Sequence, residues 1–114
     1  MPTNVELYDA AIELQQQGHL QQAIDKLRDL VAQDDGYALG HAALSVFYSK
    51  LDRHDEAVEH AARVCQLEPE DPFSFVAMSL ICQKAGRLAE AEQAQVQARQ
   101  AQYTAWQKRE SQQE

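Results

Sequence analysis

The four histidines and two cysteines of this sequence could bind a metal ion or act as nucleophiles. Their spacing indicates whether they could do so together. His54 and His60 are six residues apart, which puts them on different faces of a helix and makes them poor ligands for one ion. Cys65 and Cys82 are too few and too irregularly spaced for a zinc motif or a disulfide framework. We therefore predict no metal site and two reduced thiols, which is typical of a cytoplasmic protein.

Enzyme motifs are also missing from the sequence. It contains no glycine-rich phosphate loop, no GxSxG nucleophile elbow and no HExxH zinc-binding pair. We expect Cys82 to be a small core residue, because a buried thiol without a basic neighbour stays protonated. The sequence therefore predicts neither an enzyme nor a cofactor.

Composition and charge restrict the class of partner. The chain of 114 residues is 45% hydrophobic, which suits one domain or one short array and excludes a disordered chain. Its net charge of -8 comes from 18 acidic and 10 basic side chains without a basic patch, so the chain would repel nucleic-acid phosphates and anionic membranes. The sequence has no signal-peptide pattern and no apolar run of transmembrane length. Nucleic acid and membranes are therefore not predicted as partners.

The segments that hold these residues carry helix signals. Thr3 and Glu6 form a capping-box pattern before the first apolar run. Gly18 and Gly86 stop helices, because glycine adopts the left-handed conformation without steric cost. Pro72 suits the first turn of another helix. Apolar residues recur at helical spacing and no segment alternates like a strand, so the sequence predicts an all-α fold of six helices in three hairpins.

One phrase recurs three times along the chain. The stretches GHLQQAIDKL, DRHDEAVEHA and GRLAEAEQAQ begin at Gly18, Asp52 and Gly86, which are 34 residues apart. Small side chains align at two positions of this period: Ala23, Ala57 and Ala91, and Ala11, Ser45 and Ser79. Small residues at these positions would let the two helices of each hairpin approach closely.

This period of helix–turn–helix units resembles the tetratricopeptide repeat over nearly the whole chain. The resemblance implies a right-handed superhelical array of three repeats with an extended C-terminal helix. The three repeats and the C-terminal extension are residues 4–37, 38–71, 72–105 and 106–114. Pro69 matches the closing proline of the family. The tryptophan often found early in a repeat is replaced by Leu7, His41 and Phe75, so we expect His41 to be a half-buried packing residue.

In that family the first helix of each hairpin lines a concave groove for a partner. The resemblance implies a groove formed by Val5, Tyr8, Asp9, Ile12, Leu39, Ala42, Ala43, Val46, Lys50, Phe73, Val76, Ala77, Leu80 and Lys84. Members that bind chaperone tails clamp a carboxylate with lysine, arginine and asparagine. We predict no carboxylate clamp, because the clamp positions here hold aromatic or apolar residues, namely Tyr8, Ile12, Ala43, Phe73 and Ala77. Lys50 and Lys84 are expected to form a solvated edge.

Two functions fit such an array. The first is a protein-interaction module, an adaptor or assembly factor that binds an apolar peptide or an amphipathic helix in its groove. The alternative is a self-assembling scaffold, a homo-oligomer formed through the end faces or the long C-terminal helix. The groove could also be covered by the protein's own segments. A three-repeat array has little chain left over for that purpose, which favours the interaction module.

The last predicted helix has two features of its own. Ala91, Ala94, Ala98, Ala101 and Ala105 recur at alternating spacings of three and four residues. This alanine seam reflects either the helix propensity of alanine or close pairing between two chains. Glu92 and Arg99 replace the apolar residues that face the next hairpin in the inner repeats, which is typical of a terminal repeat. Tyr103 and Trp106 lie one turn apart and either lock the helix onto the body or form an exposed anchor.

Overall fold

The computed structural model describes residues 2–113, which form a series of α-helices joined by short turns. The helices are α1 (Asn4–Gln16), α2 (Leu20–Gln33), α3 (Ala38–Lys50), α4 (His54–Leu67), α5 (Pro72–Lys84) and α6 (Leu88–Gln112). Within the described part of the chain no strand occurs. The predicted all-α array with an extended C-terminal helix is confirmed, since α6 has 25 residues and α5 has 13. The repeat boundaries stay a prediction.

The helices begin and end where the sequence signals stand. The Thr3 hydroxyl accepts a hydrogen bond from the Glu6 N–H at 3.2 Å, and the Asp71 carboxylate accepts one from the Phe73 N–H at 2.9 Å. Gly18 and Gly86 have φ angles of 88° and 78°, and Asp52 has the same left-handed conformation with φ 59°. The three tight turns within the hairpins therefore share one backbone geometry, although only two of them use glycine.

The same hydrogen bond closes each of these turns. The N–H groups of His19, Arg53 and Arg87 donate to carbonyl groups five residues earlier, at distances of 2.8 to 2.9 Å. This bond satisfies a carbonyl that the end of the preceding helix would otherwise leave unpaired. Each first helix is thereby folded back onto its second helix as an antiparallel pair.

The core lies in layers between neighbouring helices. α1 packs on α2, α3 on α4 and α5 on α6, and the hairpins join through α2 with α3 and α4 with α5. Ala11, Ala23 and Ala57 are completely buried where the paired helices meet. α3 lies close against α2 at Gly40, where a Cβ atom would lie 2.9 Å from Cγ1 of Val31. Small residues therefore set the spacing both within and between hairpins.

The two ends of the array expose polar residues at positions that are apolar or small further inside. On α1, the carboxylates of Glu6, Asp9 and Glu13 are exposed where α3 has Gly40, Ala43 and Phe47. On α6, exposed Glu92 and Arg99 stand where α4 has Val58 and Cys65. The carboxylate-rich face of α1 could not pack against a further helix, as the equivalent face of α3 packs against α2, without burying charge.

A membrane span requires a certain length and hydropathy of a helix, and none of the helices of the described chain meets both requirements.

Candidate functional site

The predicted groove contains a set of exposed apolar side chains on the three first helices. Six of its large apolar residues are exposed: Val5, Leu39, Val46, Phe73, Val76 and Leu80. Val5, Leu39 and Phe73 stand at the same position in the first turns of α1, α3 and α5, and Phe73 is 76% exposed. Such clustering of large apolar side chains on a surface is typical of an interaction site.

A small apolar pocket opens between α3 and α5, with α4 as its floor. Its volume is about 180 Å³, and its lining residues are Ala42, Ser45, Val46, Ala61, Val64, Ser74, Ala77, Leu80 and Ile81. The Ser45 hydroxyl donates to the Ala42 carbonyl at 2.8 Å, and the Ser74 hydroxyl donates to the Asp71 carbonyl at 2.7 Å. Since both hydroxyl protons are used within the protein, the pocket presents an apolar surface that suits one aliphatic side chain.

The sequence prediction and the pocket meet at four residues. Ala42, Val46, Ala77 and Leu80 were expected in the groove and all line the pocket. The small side chains of the two alanines leave the space, and the larger Val46 and Leu80 form its exposed rim. The floor of the pocket is formed by Ala61 and Val64 of α4. The sequence prediction did not include them, because it considered only the first helix of each hairpin.

The α1 part of the predicted groove is more closed. Tyr8 and Ile12 are only half exposed, since both pack against the core. The Tyr8 ring contacts that of Tyr37, with 6.3 Å between the ring centroids and a tilted arrangement. Val5 alone of the large apolar residues on α1 is openly exposed. The pocket between α3 and α5 is therefore a more accessible part of the predicted groove than α1.

Charges occur at the edge of the groove. Lys50 and Lys84 end α3 and α5 and are exposed, as expected for a solvated edge. The Lys50 ammonium lies 5.8 Å from the centroid of the Phe47 ring. Asp9 is the one acidic residue in the predicted groove set, and Lys50 and Lys84 are its basic residues.

The structure brings together two histidines that the sequence analysis did not pair. The Nδ1 atoms of His41 and His60 lie 2.9 Å apart across the hairpin of α3 and α4, and Nε2 of His41 lies 2.9 Å from the Asp35 carbonyl. His41 is 4% exposed and therefore fully buried, whereas the sequence analysis expected a half-buried residue. The ring of Tyr48 stacks on His60 with 5.6 Å between centroids. Burial and the neighbouring His41 both lower the pKa of His60.

These polar groups do not assemble a reactive centre. Residues 2–113 contain no cluster of three or more histidine, cysteine, aspartate or glutamate side chains that could hold a metal ion. The Cys65 thiol donates to the Ser74 carbonyl at 3.3 Å, and Cys82 is completely buried. Burial raises the pKa of both thiols, which keeps them in the weakly nucleophilic protonated form.

The alanine seam of α6 faces the protein's own interior. Ala91, Ala94 and Ala98 are buried, and Ala101 and Ala105 are half-buried. The seam is thus not available for pairing with a second chain. Tyr103 and Trp106 contact each other, with 5.9 Å between their ring centroids, and are 59% and 51% exposed. Trp106 therefore does not lock α6 onto the body.

No protein-family model matches the chain, and no curated protein sequence matches it.

Solved structures do resemble it. MamA superimposes with a TM-score of 0.82 at 20% sequence identity, over 92% of this chain and 61% of MamA. The chain thus spans about three fifths of the MamA chain. SycD, a type III secretion translocator chaperone of Yersinia enterocolitica, superimposes with a TM-score of 0.77 at 19% identity, over 96% of this chain and 86% of SycD.

A second SycD structure, in complex with a peptide of the translocator YopD, superimposes with a TM-score of 0.75 at 19% identity, over 92% of this chain and 84% of SycD. At such identities the likeness concerns the fold. Together with the period of 34 residues and the repeated turn geometry, it shows that the chain has a tetratricopeptide-like helical-repeat fold.

Proposed function

We propose that the chain is a protein-interaction module that holds an apolar segment of a partner protein in the groove of α1, α3 and α5. The observation that carries this proposal is the apolar pocket between α3 and α5, rimmed by exposed Val46 and Leu80. Burying one large apolar side chain contributes about 1.5–3 kcal/mol, so a few anchors from a partner could offset the cost of ordering it.

The chemistry of the groove defines the partner segment. One aliphatic or small aromatic side chain would enter the pocket of about 180 Å³, and neighbouring apolar side chains would cover Leu39 and Phe73. An amphipathic helix or an extended apolar peptide could supply this pattern. Acidic residues at the flank of the segment would face Lys50 and Lys84. The SycD structure that contains a YopD peptide supports a peptide as the kind of ligand.

Holding a partner in this way would suit an adaptor or assembly factor, and we assign the chain a binding role in place of catalysis. We further assign it to the cytoplasm, because Cys65 and Cys82 are both unpaired and free thiols fit a reducing compartment.

Self-assembly by stacking of end faces is the weaker alternative. It would bring Glu6, Asp9 and Glu13 of α1 against the outer face of α6, where Arg99 could pair with one carboxylate but Glu92 is also acidic. Burying the remaining carboxylates without partners would cost more than the small apolar contact could return. Pairing through the alanine seam would require α6 to leave α5.

The proposal is tested by selecting binders from a random peptide library on the full chain. We expect the selected peptides to share one aliphatic or aromatic anchor and to lose binding to the Val46→Glu variant. Val96→Glu is the matched control, because Val96 lies on α6 outside the groove. The two valines are almost equally exposed, Val46 at 45% and Val96 at 47%. Peptides that bind both variants equally well, or a Val46→Glu variant that fails to fold, would contradict the groove as the site.

A further inference from the structure

A second seam runs along the face of α6 that points away from the alanine seam. Val96, Arg99, Tyr103, Trp106 and Glu110 follow one another at alternating spacings of three and four residues, and all five are exposed. This is the spacing that keeps side chains on one helix face in a two-helix pair. We call these five residues the outer seam.

The part of α6 beyond the repeats lacks support from the body. Every residue from Trp106 to Gln113 is exposed, and the contact that ties this segment back is the ion pair of Lys108 with Glu70, with 2.9 Å between Nζ and Oε1. Short helical segments without tertiary packing are marginal in water. The exposed rings of Trp106 on this segment and of Tyr103 just before it would be stabilised by a surface that covers them.

We propose that the outer seam pairs with the outer seam of a second copy of this chain, with the two helices antiparallel. In a symmetric antiparallel pair, residues at equal distances from the twofold axis face each other. An axis beside Thr104 and Ala105 places Tyr103 opposite Trp106 of the second copy. The same axis places Arg99 opposite Glu110 of the second copy. One register thus produces two aromatic contacts and two ion pairs.

Charge decides between this arrangement and its competitors. A parallel pair in register would set Arg99 against Arg99 of the second copy and Glu110 against Glu110. An antiparallel register with Val96 opposite Trp106 would set Glu92 against Glu110. Like charges in such contacts are destabilising, so the seam favours the antiparallel pair centred between the aromatic residues.

The expected dimer is weak and separate from the groove. The paired segment, residues 99–110, is short, and interfaces below about 1,200 Å² belong to transient associations. The outer seam shares no residue with the predicted groove on α1, α3 and α5. The inference therefore stands independently of the proposed partner binding, and two copies joined in this way would present two grooves.

Sedimentation of the full chain over two orders of magnitude in protein concentration tests the inference. We expect a reversible monomer–dimer equilibrium. Arg99→Glu and Glu110→Arg should each weaken it by about tenfold or more, and the double variant should restore it to within about threefold of the original. Trp106→Ala should leave a monomer. Val46→Glu, which tests the groove, should dimerise like the unmodified chain.

Arg109→Glu is the matched control, because Arg109 is also exposed at the same helix end but does not belong to the outer seam. It should leave the equilibrium unchanged. Circular dichroism of each variant checks folding, which these exposed positions should not affect. A chain that stays monomeric at every concentration, or a double variant that does not restore the dimer, would overturn the proposal.

Discussion

His41 and His60 share a hydrogen bond of 2.9 Å between their Nδ1 atoms, which fixes which nitrogens carry protons. Nε2–H of His41 donates to the Asp35 carbonyl, so Nδ1 of His41 must accept from Nδ1–H of His60. This hydrogen bond links α3 to α4 within the middle hairpin.

This arrangement predicts that stability falls in mild acid. Burial first and His41 second lower the pKa of His60 below the ordinary value of 6.5, and the opposing influence of Glu59 and Glu56 is smaller. The unfolded chain therefore binds a proton more readily than the folded one. The stabilising contribution is complete above pH 6.5 and is lost as the pH falls below that value.

Thermal melts across this pH range measure the effect. His60→Asn should flatten the pH dependence, although it also lowers stability at neutral pH. The control His19→Asn changes an exposed histidine in a turn and should preserve the slope. A slope that survives in His60→Asn would assign the effect to another group.

Ala57→Leu should destabilise the middle hairpin. Ala57 is completely buried between α3 and α4, so a larger side chain must push the helices apart at a cost of about 1–3 kcal/mol. Ala89→Leu makes the same change at an exposed position of α6 and should be nearly neutral. Chemical denaturation of both variants measures the difference, and equal midpoints would show that Ala57 does not limit helix spacing.

Gly86→Val should destabilise the chain, whereas Asp52→Gly should not. Both positions have left-handed backbone, with φ angles of 78° and 59°. A Cβ atom on Gly86 would meet no other atom within 4 Å, so the cost comes from the backbone alone, about 1–2 kcal/mol. Asp52 already bears that strain and glycine would relieve it. The two melting temperatures should move in opposite directions or by clearly different amounts, and equal shifts would contradict the shared turn geometry.

The sequence was sufficient for the repeats because its signals are local or periodic. Local signals act within one hairpin, as the cap at Thr3, the turn at Gly18 and the small residue at Ala57 do. The period of 34 residues shows that the same hairpin occurs three times. Alignment of repeats compares equivalent positions. It therefore could not pair His41 with His60, which occupy different positions on opposite helices.

The same limit applies to the candidate site. The resemblance placed four of the pocket-lining residues of the first helices, among them Val46 and Leu80, in the predicted groove, but it did not include Ser45, Ser74 or Ile81. The floor of the pocket on α4 and the closure of Tyr8 against Tyr37 depend on how neighbouring helices cross. Which of two seams on α6 is buried also depends on the position of α5.

Ala77→Leu should abolish peptide binding without loss of stability, in contrast to the same substitution at Ala57. Ala77 is exposed on α5 and lines the pocket of about 180 Å³, so a leucine there would extend into the space reserved for the partner's anchor. In the free protein this side chain would cover Val46 and Leu80 and add apolar contacts. The melting temperature should therefore stay the same or rise, while the dissociation constant of a library-selected peptide should increase by at least about tenfold, the loss of roughly 1.4 kcal/mol. Titration calorimetry and thermal melts of the two leucine variants give both quantities. A peptide that binds Ala77→Leu as tightly as the original chain would show that its anchor lies outside this pocket.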